Sequence, residues 1–373
     1  MARLDSICKL NMGQSPDSSS YNENEKGMPF FQGNADFGII HPTVRVWCDA
    51  PTKIASKGDI LISVRAPIGA LNIADTECCI GRGLAALTVD ETVCDKQYLW
   101  YGIASKVNEL NSKGTGSTFK AISKNVLAET EIPMPTINIQ KQIALKLDKV
   151  CDLISLRKQQ LSKLDELVKS RFIEMFGDTE LNPYGWIKST LGTSCDVRDG
   201  THDSPQYYET GYPLVTSKNV TGGKIDTGDC SLICEADFMR INERSKVDIG
   251  DIIMPMIGTV GKPVIVDIEP NFAIKNVALI KFKIDTSVLN TYIQALLQSD
   301  YFDRAILSKV RGGTQKFISL GDIRKLEVLV PPIELQRQFA AFVKQIDKSK
   351  FEIQKSLEQL ETLKKSLMQK YFG

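Results

Sequence analysis

Gln140-Lys141-Gln142-Ile143-Ala144 is answered in the second half of the chain by Gln336-Arg337-Gln338-Phe339-Ala340. From each of these stretches the chain runs without glycine or proline to a matching pair, Phe176-Gly177 and Phe372-Gly373. Apolar residues alternate there at spacings of four and three: Ile143, Leu147, Val150, Ile154, Leu161, Leu164 and Val168, then Phe339, Val343, Ile346, Ile353, Leu357, Leu360 and Leu367. That is a heptad seam, interrupted by Arg157 and Lys350 where the partner copy has Ile353 and Ile154. At about 1.5 Å per residue each run predicts a helix of roughly 55 Å. A helix that long with one apolar stripe needs a partner, and the other copy supplies it.

The repeat extends outward from the helices. Leu4, Cys8, Gly13 and Pro16 match Leu191, Cys195, Gly200 and Pro205. Gly58-Asp59-Ile60 matches Gly250-Asp251-Ile252, and Pro67-Ile68-Gly69 answers Thr259-Val260-Gly261. Gly114-Thr115-Gly116-Ser117-Thr118-Phe119 resembles Gly312-Gly313-Thr314-Gln315-Lys316-Phe317, and Ile132-Pro133-Met134-Pro135 matches Val330-Pro331-Pro332. Two copies of one unit follow. Short apolar runs such as Ile60-Leu61-Ile62-Ser63-Val64 and Pro263-Val264-Ile265-Val266, bounded by Gly, Pro and Asp, predict strands. Further helices are expected over residues 98–111 and 289–309. The predicted fold is therefore α+β: two similar mixed domains at 1–137 and 178–333, each followed by a spacer helix at 138–177 and 334–373.

A chain of 373 residues, 42% apolar and 24% charged, has enough apolar material for two cores and is not wholesale disordered. A net charge of +1 excludes a polybasic condenser of nucleic acid, although local basic patches remain compatible with it. No apolar run approaches a membrane span, and Met1-Ala2-Arg3-Leu4-Asp5 lacks the apolar stretch of a secretion signal. Nine scattered cysteines with no Cys-x-x-Cys pair predict reduced thiols in the cytoplasm. Two histidines, His41 and His202, leave histidine-based zinc and acid–base chemistry poorly supplied, and no metal site is expected.

Fragments that imitate catalytic motifs fail on inspection. Gly258-Thr259-Val260-Gly261-Lys262-Pro263 lacks two parts of a phosphate loop: Met256 stands where a glycine is needed and Pro263 where a hydroxyl is needed. Asn182-Pro183-Tyr184 is one proline short of a methyltransferase motif and reads as a turn. Gly81-Arg82-Gly83 and Gly114-Thr115-Gly116 are isolated glycine pairs, too weak for a dinucleotide site. His202 has no evident acid–base partner in the sequence. The chain reads as catalytically empty, with no cofactor.

If the two helices pair antiparallel, the copies are related by a pseudo-twofold axis with the domains at opposite ends of a rod. That arrangement suits a reader of two-part DNA sites, because duplex DNA also has local twofold symmetry. The heptads alone leave a parallel pairing open. The order domain, helix, domain, helix resembles the specificity subunit of type I restriction–modification systems. Asp199-Gly200-Thr201-His202, Val215-Thr216-Ser217-Lys218-Asn219-Val220, the Gly-Asp-Ile pairs and Val330-Pro331-Pro332-Ile333-Glu334-Leu335-Gln336-Arg337-Gln338 carry the resemblance. It covers essentially the whole chain. It implies a non-catalytic subunit whose two target-recognition domains each read half of a bipartite sequence in double-stranded DNA. It further implies an antiparallel helix pair that sets the gap, docking of two methyltransferase (modification) subunits, and restriction (translocase/endonuclease) subunits joining that core. One departure is that the first domain starts almost at Met1, so a bare N-terminal edge is expected.

Duplex recognition uses Lys and Arg on phosphates and guanine, Asn and Gln on adenine, and Ser and Thr on either. In the first half the expected DNA contacts are Gln14, Ser15, Arg65, Arg82, Lys113, Thr115, Ser117, Thr118, Lys120 and Lys124. In the second they are Thr201, His202, Lys218, Asn219, Lys275, Asn276, Arg311, Thr314, Gln315 and Lys316. The competing reading is a coiled-coil scaffold that joins proteins without reading DNA; salt- and sequence-dependent duplex binding separates the two. Replacing Arg311 and Lys316 by alanine is expected to weaken one half-site and leave the other untouched, measured as binding to duplexes in which each half-site is varied alone. Loss of a phosphate contact lowers affinity for all sequences, whereas loss of a base contact relaxes one position by about 1–3 kcal/mol.

Overall fold

The strand Ile60–Ser63 shows no alternation of polar residues because both of its faces are covered. Ile60 and Ile62 enter a core with Leu4, Leu87, Tyr98 and Leu99, while Leu61 enters another with Phe31, Ile80 and Leu84. The second copy divides in the same way. Ile252 and Met254 join Ile280 and Tyr292, and Ile253 joins Val215, Phe272 and Ile274. The structure is a computed structural model that describes residues 1–116, 120–257, 261–283, 285–307 and 317–373. It falls into two compact units, residues 1–158 with 355–373, and residues 159–354.

In the first unit, strands Cys8–Met12, Leu84–Val89, Ile60–Ser63 and Leu71–Ile73 lie side by side in that order, all antiparallel. The second unit has the same order with Asp196–Asp199, Val277–Lys281, Ile252–Pro255 and Val264–Ile265. A second sheet in each unit contains one parallel pair, with Phe30 opposite Cys79 and Leu214 opposite Ala273. The first residues of the chain are paired in a small sheet. Ala2–Arg3 lies against Glu131–Ile132, a two-residue version of the four-residue pairing between Ile187–Thr190 and Glu327–Val330.

The repeated Gly-Asp-Ile segments are turns that start the central strands. Gly58 (φ +89°) and Gly250 (φ +91°) take the left-handed conformation that favours glycine. The carboxylates of Asp59 and Asp251 then accept the backbone N–H of Ser56 and Asp248, each at 2.8 Å. Residues 98–111 and 289–309 differ from expectation in that each region holds two helices. These are Lys96–Ser105 and Val107–Ser112, then Asn290–Leu297 and Asp300–Leu307. The backbone leaves the helical well at Lys106 and at Gln298, and the turn brings Leu110 and Ile306 onto their cores.

Each of the two long helices has 40 residues, Ile137–Phe176 and Ile333–Phe372, so both begin one turn ahead of the repeated glutamines. Those glutamines are fully buried. Gln140 Oε1 accepts from Asp95 N–H (2.9 Å), and its Nε2 donates to the carbonyls of Val93 (3.2 Å) and Pro135 (2.9 Å). Gln336 repeats the scheme with Leu289 N–H (2.8 Å), Ser287 O (2.9 Å) and Pro331 O (2.8 Å). The prolines stop the preceding strand, and the amide then pins the first helical turn to the domain.

Within each unit the two helix segments run antiparallel. In the first, Phe372 packs on Tyr98 with ring centroids 4.9 Å apart and shares a core with Ile143 and Leu147, while Lys158 pairs with Glu361 at 3.3 Å. In the second, Phe172 meets Phe339 at 5.7 Å, and Asp165 accepts from Lys350 Nζ at 2.6 Å. The lysine that interrupts the seam is thus held by a carboxylate on the facing helix. Ile154, Leu161 and Leu164 are only half-buried, as a pair of helices covers one stripe and leaves its flanks to solvent.

The buried amides generate a stability prediction. Gln336→Leu removes three hydrogen bonds and strands a backbone N–H and two carbonyls in the interior. Unfolding of the full chain in urea should show a loss on the order of 3 kcal/mol. Exposed Gln338→Leu, two residues on, should be nearly neutral.

Candidate nucleic-acid interface

In both central sheets, three neighbouring strands bring their loops to the same end. In the first domain Met12 lies opposite Ala85 and Ser63 opposite Leu84, so the chain beyond Met12, before Leu84 and beyond Ser63 emerges together. In the second, Asp199 lies opposite Ala278 and Pro255 opposite Val277. Glycine is required where the outer strand ends. A side chain at Gly13 would place its Cβ 2.2 Å from the Gly81 carbonyl, and one at Gly200 would come within 2.4 Å of the Ile274 carbonyl. Beyond those glycines the backbone bonds coincide. Gln14 N–H donates to Ile80 O and Thr201 N–H to Ile274 O, each at 3.0 Å. Gly81 N–H donates to Phe31 O (2.8 Å) and Lys275 N–H to Val215 O (2.9 Å).

The first domain therefore gathers Gln14, Ser15 and Arg82. Ser15 Oγ lies 3.0 Å from Gln32 Nε2, which donates to it, and 3.3 Å from the Arg82 N–H. The Gln14 side chain is exposed, as is that of Arg82, whose guanidinium has no partner among the described residues. Val64 N–H bonds to Gly83 O, and Ile122 N–H to Val64 O, each at 2.9 Å, which continues the row outward. Arg65 and Ala121 form a bridge there, as do Thr115 and Ala121, so Arg65, Thr115 and Lys120 belong to the same sheet end and all three are exposed. Lys113 is tied to Glu109 at 2.7 Å, and exposed Lys124 opens the short helix Lys124–Ala128. Ser117, Thr118, Arg311, Thr314, Gln315 and Lys316 lie outside the described residues.

The second domain gathers Thr201, His202, Lys275 and Asn276. Lys275 Nζ donates to Ser204 Oγ at 2.8 Å, and Lys218 is exposed nearby on the Ser217–Asn219 turn. Asn219 belongs to the frame instead of the surface. Its Oδ1 accepts from Thr216 N–H (3.0 Å) and its Nδ2 donates to Asp229 O (3.0 Å), and burial turns the amide inward, away from a base edge. In the first domain Asp36 has the same place, accepting from Gln32 N–H at 2.8 Å and pairing with Arg45.

His202, which the sequence left without a partner, has two. Its Nδ1 is 2.7 Å from Asn276 Oδ1, and its Nε2 is 2.9 Å from Asp199 Oδ2. The carboxylate of Asp199, itself buried, also pairs with Arg244. Asn276 adopts φ +55°, a conformation asparagine tolerates better than most residues. Its hydrogen bond and then that of Asp199 raise the His202 pKa above the ordinary histidine value. Both partners offer oxygen acceptors, so the ring that satisfies both is the doubly protonated one. Sequence reading missed Gln32, Asp199 and Arg244 as site residues. Asp199 stood in a quoted motif, but Gln32 and Arg244 reach the site only through tertiary pairing.

The family model for the type I restriction modification DNA specificity domain matches residues 1–166 and again 183–364. The chain belongs to that family. DNA sequence specificity is accordingly its role within a type I restriction–modification system. The Methanocaldococcus jannaschii protein named as the type I restriction enzyme MjaX specificity subunit is 40% identical over 161 residues, which span 43% of this chain and 38% of that protein. The MjaIX specificity subunit of the same organism is 29% identical over 348 residues, 85% of this chain and 77% of that protein. The crystal structure of the type I restriction–modification S subunit from M. genitalium shares the fold, with a TM-score of 0.56 at 19% identity over 100% of this chain and 95% of that one. Among the described residues no cluster of His, Cys, Asp or Glu is arranged to hold a metal ion, and no helix is long and apolar enough to cross a membrane.

The His202 network of this specificity-domain protein makes a titration prediction. In the full chain the His202 ring should titrate above about 6.5, the unperturbed value. Asn276→Ala and Asp199→Asn should each bring the midpoint down, read from the His202 ring signal in NMR. A raised folded-state value means that this network stabilises the fold at pH below about 6.5 and that its contribution is lost as pH rises through the folded midpoint.

Proposed function

We propose that each domain reads one half of a bipartite sequence in duplex DNA and that the sheet end described above is the reading surface. The observation that supports this most directly is the doubled frame. The two domains use the same backbone bonds around Gly13 and Gly200, yet carry different side chains on them: Gln14, Ser15 and Arg82 in one, Thr201, His202 and Asn276 in the other. A fixed frame with changed polar tips is what two different half-sites require.

The chain acts as an adaptor, with no catalytic centre or cofactor of its own. Its partners are two methyltransferase subunits, which bind the methyl donor, and restriction subunits that join them. Exposed apolar residues on the long helices suit such docking: Leu145, Leu153, Leu156, Leu167 and Ile173 on one, Phe351 and Leu363 on the other.

The long helices set the gap between half-sites, and this can be tested directly. Four residues inserted between Lys158 and Gln159, and four between Gln354 and Lys355, lengthen both helices by about 6 Å while adding a stutter that heptad pairs tolerate. At about 3.4 Å per base pair the gap should grow by one or two base pairs, with both half-site sequences unchanged. Mapping methylated sites in a host that carries the variant and its modification subunit reads the result. An unchanged gap rules out the helices as the ruler, and methylation without any sequence motif in the wild type rules out the reading function.

A further inference from the structure

The shared frame aligns the two reading surfaces residue by residue. Counting from the bonds made by Gly81 and Lys275, the next residue is Arg82 in the first domain and Asn276 in the second. The first loop then has one residue more, Gly83, before the strand resumes at Leu84. Both side chains stand just before the strands Leu84–Val89 and Val277–Lys281, beside the glycine crossing, where the outer strand and the second sheet converge.

Their chemistry differs in the way that matters for base edges. The guanidinium of Arg82 presents donors only, which match the two acceptors, N7 and O6, that guanine shows in the major groove. An asparagine amide presents one acceptor and one donor, which match N6 and N7 of adenine. Asn276 is prepared for this. Asp199 can only accept, so His202 Nε2 donates to it at 2.9 Å, and in the doubly protonated ring Nδ1 donates to Asn276 Oδ1 at 2.7 Å. That bond uses one lone pair of the amide oxygen. The other lone pair and both Nδ2 hydrogens have no partner among the described residues, and they form the mixed edge that adenine needs.

Resting on the DNA-reading function proposed above, we infer that Arg82 and Asn276 are equivalent specificity-determining residues, Arg82 selecting guanine in one half-site and Asn276 selecting adenine in the other, with His202 as the positioning residue for Asn276. Neither position is a phosphate clamp. The remaining cations of the two sheet ends, Arg65, Lys120, Lys218 and Lys275, contribute affinity that is the same for every sequence.

Selection of duplexes from a randomised pool by the full chain tests this, with each half-site scored separately. The wild type should yield a two-part motif. Arg82→Gln should lower preference for guanine at one position of one half-site by about tenfold to a hundredfold and leave the other half-site as it was. Asn276→Asp, which keeps the shape and the bond to His202 but turns the donor into an acceptor, should move one position of the other half-site from adenine toward cytosine. His202→Ala should blur that same position and no other, a readout that a general loss of folding would not give. The unaltered half-site reports in each case that the variant is folded. The inference is overturned if both motifs survive both substitutions, or if affinity falls equally for all sequences with a flatter salt dependence, which marks a phosphate contact. If the wild type selects no motif, the DNA-reading function itself fails and the inference falls with it, an outcome distinct from the others.

Discussion

A buried glutamine amide fixes the direction in which each long helix leaves its domain. Gln140 and Gln336 have no exposed surface, and each satisfies one backbone N–H and two carbonyls from the segments around it. One of the supplying segments leads into Lys96–Ser105 or Asn290–Leu297 and the other runs directly into the long helix, so a single side chain ties the two together. An amide does this better than an apolar residue, because its bonds have direction. A leucine would fill the volume and let the helix rotate. A joint free to rotate could not pass a distance from one end of a 40-residue helix to the other.

The far ends of the helices are held by aromatic packing instead. Phe372 lies on Tyr98, and Phe176 lies edge-on to Tyr292 at 4.8 Å. The two tyrosines are themselves equivalent, donating to Pro133 O and Leu329 O at 2.8 and 2.9 Å. Each unit thus contains one helix beginning fixed by hydrogen bonds and one helix end fixed by ring contacts. Burial of such rings contributes strongly through area and adds about 0.5–1.5 kcal/mol per well-placed pair.

At the reading surface the division of labour runs between frame and tip. Gly13 and Gly200, the Asp59 and Asp251 turns, and the loop props Asp36 and Asn219 are frame: the glycines recur because the backbone crossing leaves no room for a side chain, and the others because each accepts a backbone N–H of its own turn. Gln14, Ser15, Arg82, Thr201, His202 and Asn276 are tips, and they differ between the copies. Asn219 shows how composition alone misleads. It is the type of residue that reads adenine, yet burial and two internal partners make it a prop.

The doubled unit, the two long helices, the α+β character and one strand of each central sheet, at Ile60–Ser63 and Val264–Ile265, were legible in the sequence, because heptads, glycine–proline punctuation and apolar runs are local patterns. The frame glycines were visible as repeats too, although not the reason for them. What needed the tertiary structure was every feature set by residues distant in the chain. The antiparallel sense of the helix segments rests on contacts such as Lys158 with Glu361 and Asp165 with Lys350, which no heptad specifies. The pairing of Ser15 with Gln32, and of His202 with Asp199 and Asn276, depends on which strand ends meet at one edge of a sheet. Periodicity tells a residue which face it occupies. Only the folded chain decides what stands opposite, because that is fixed by sheet order and register.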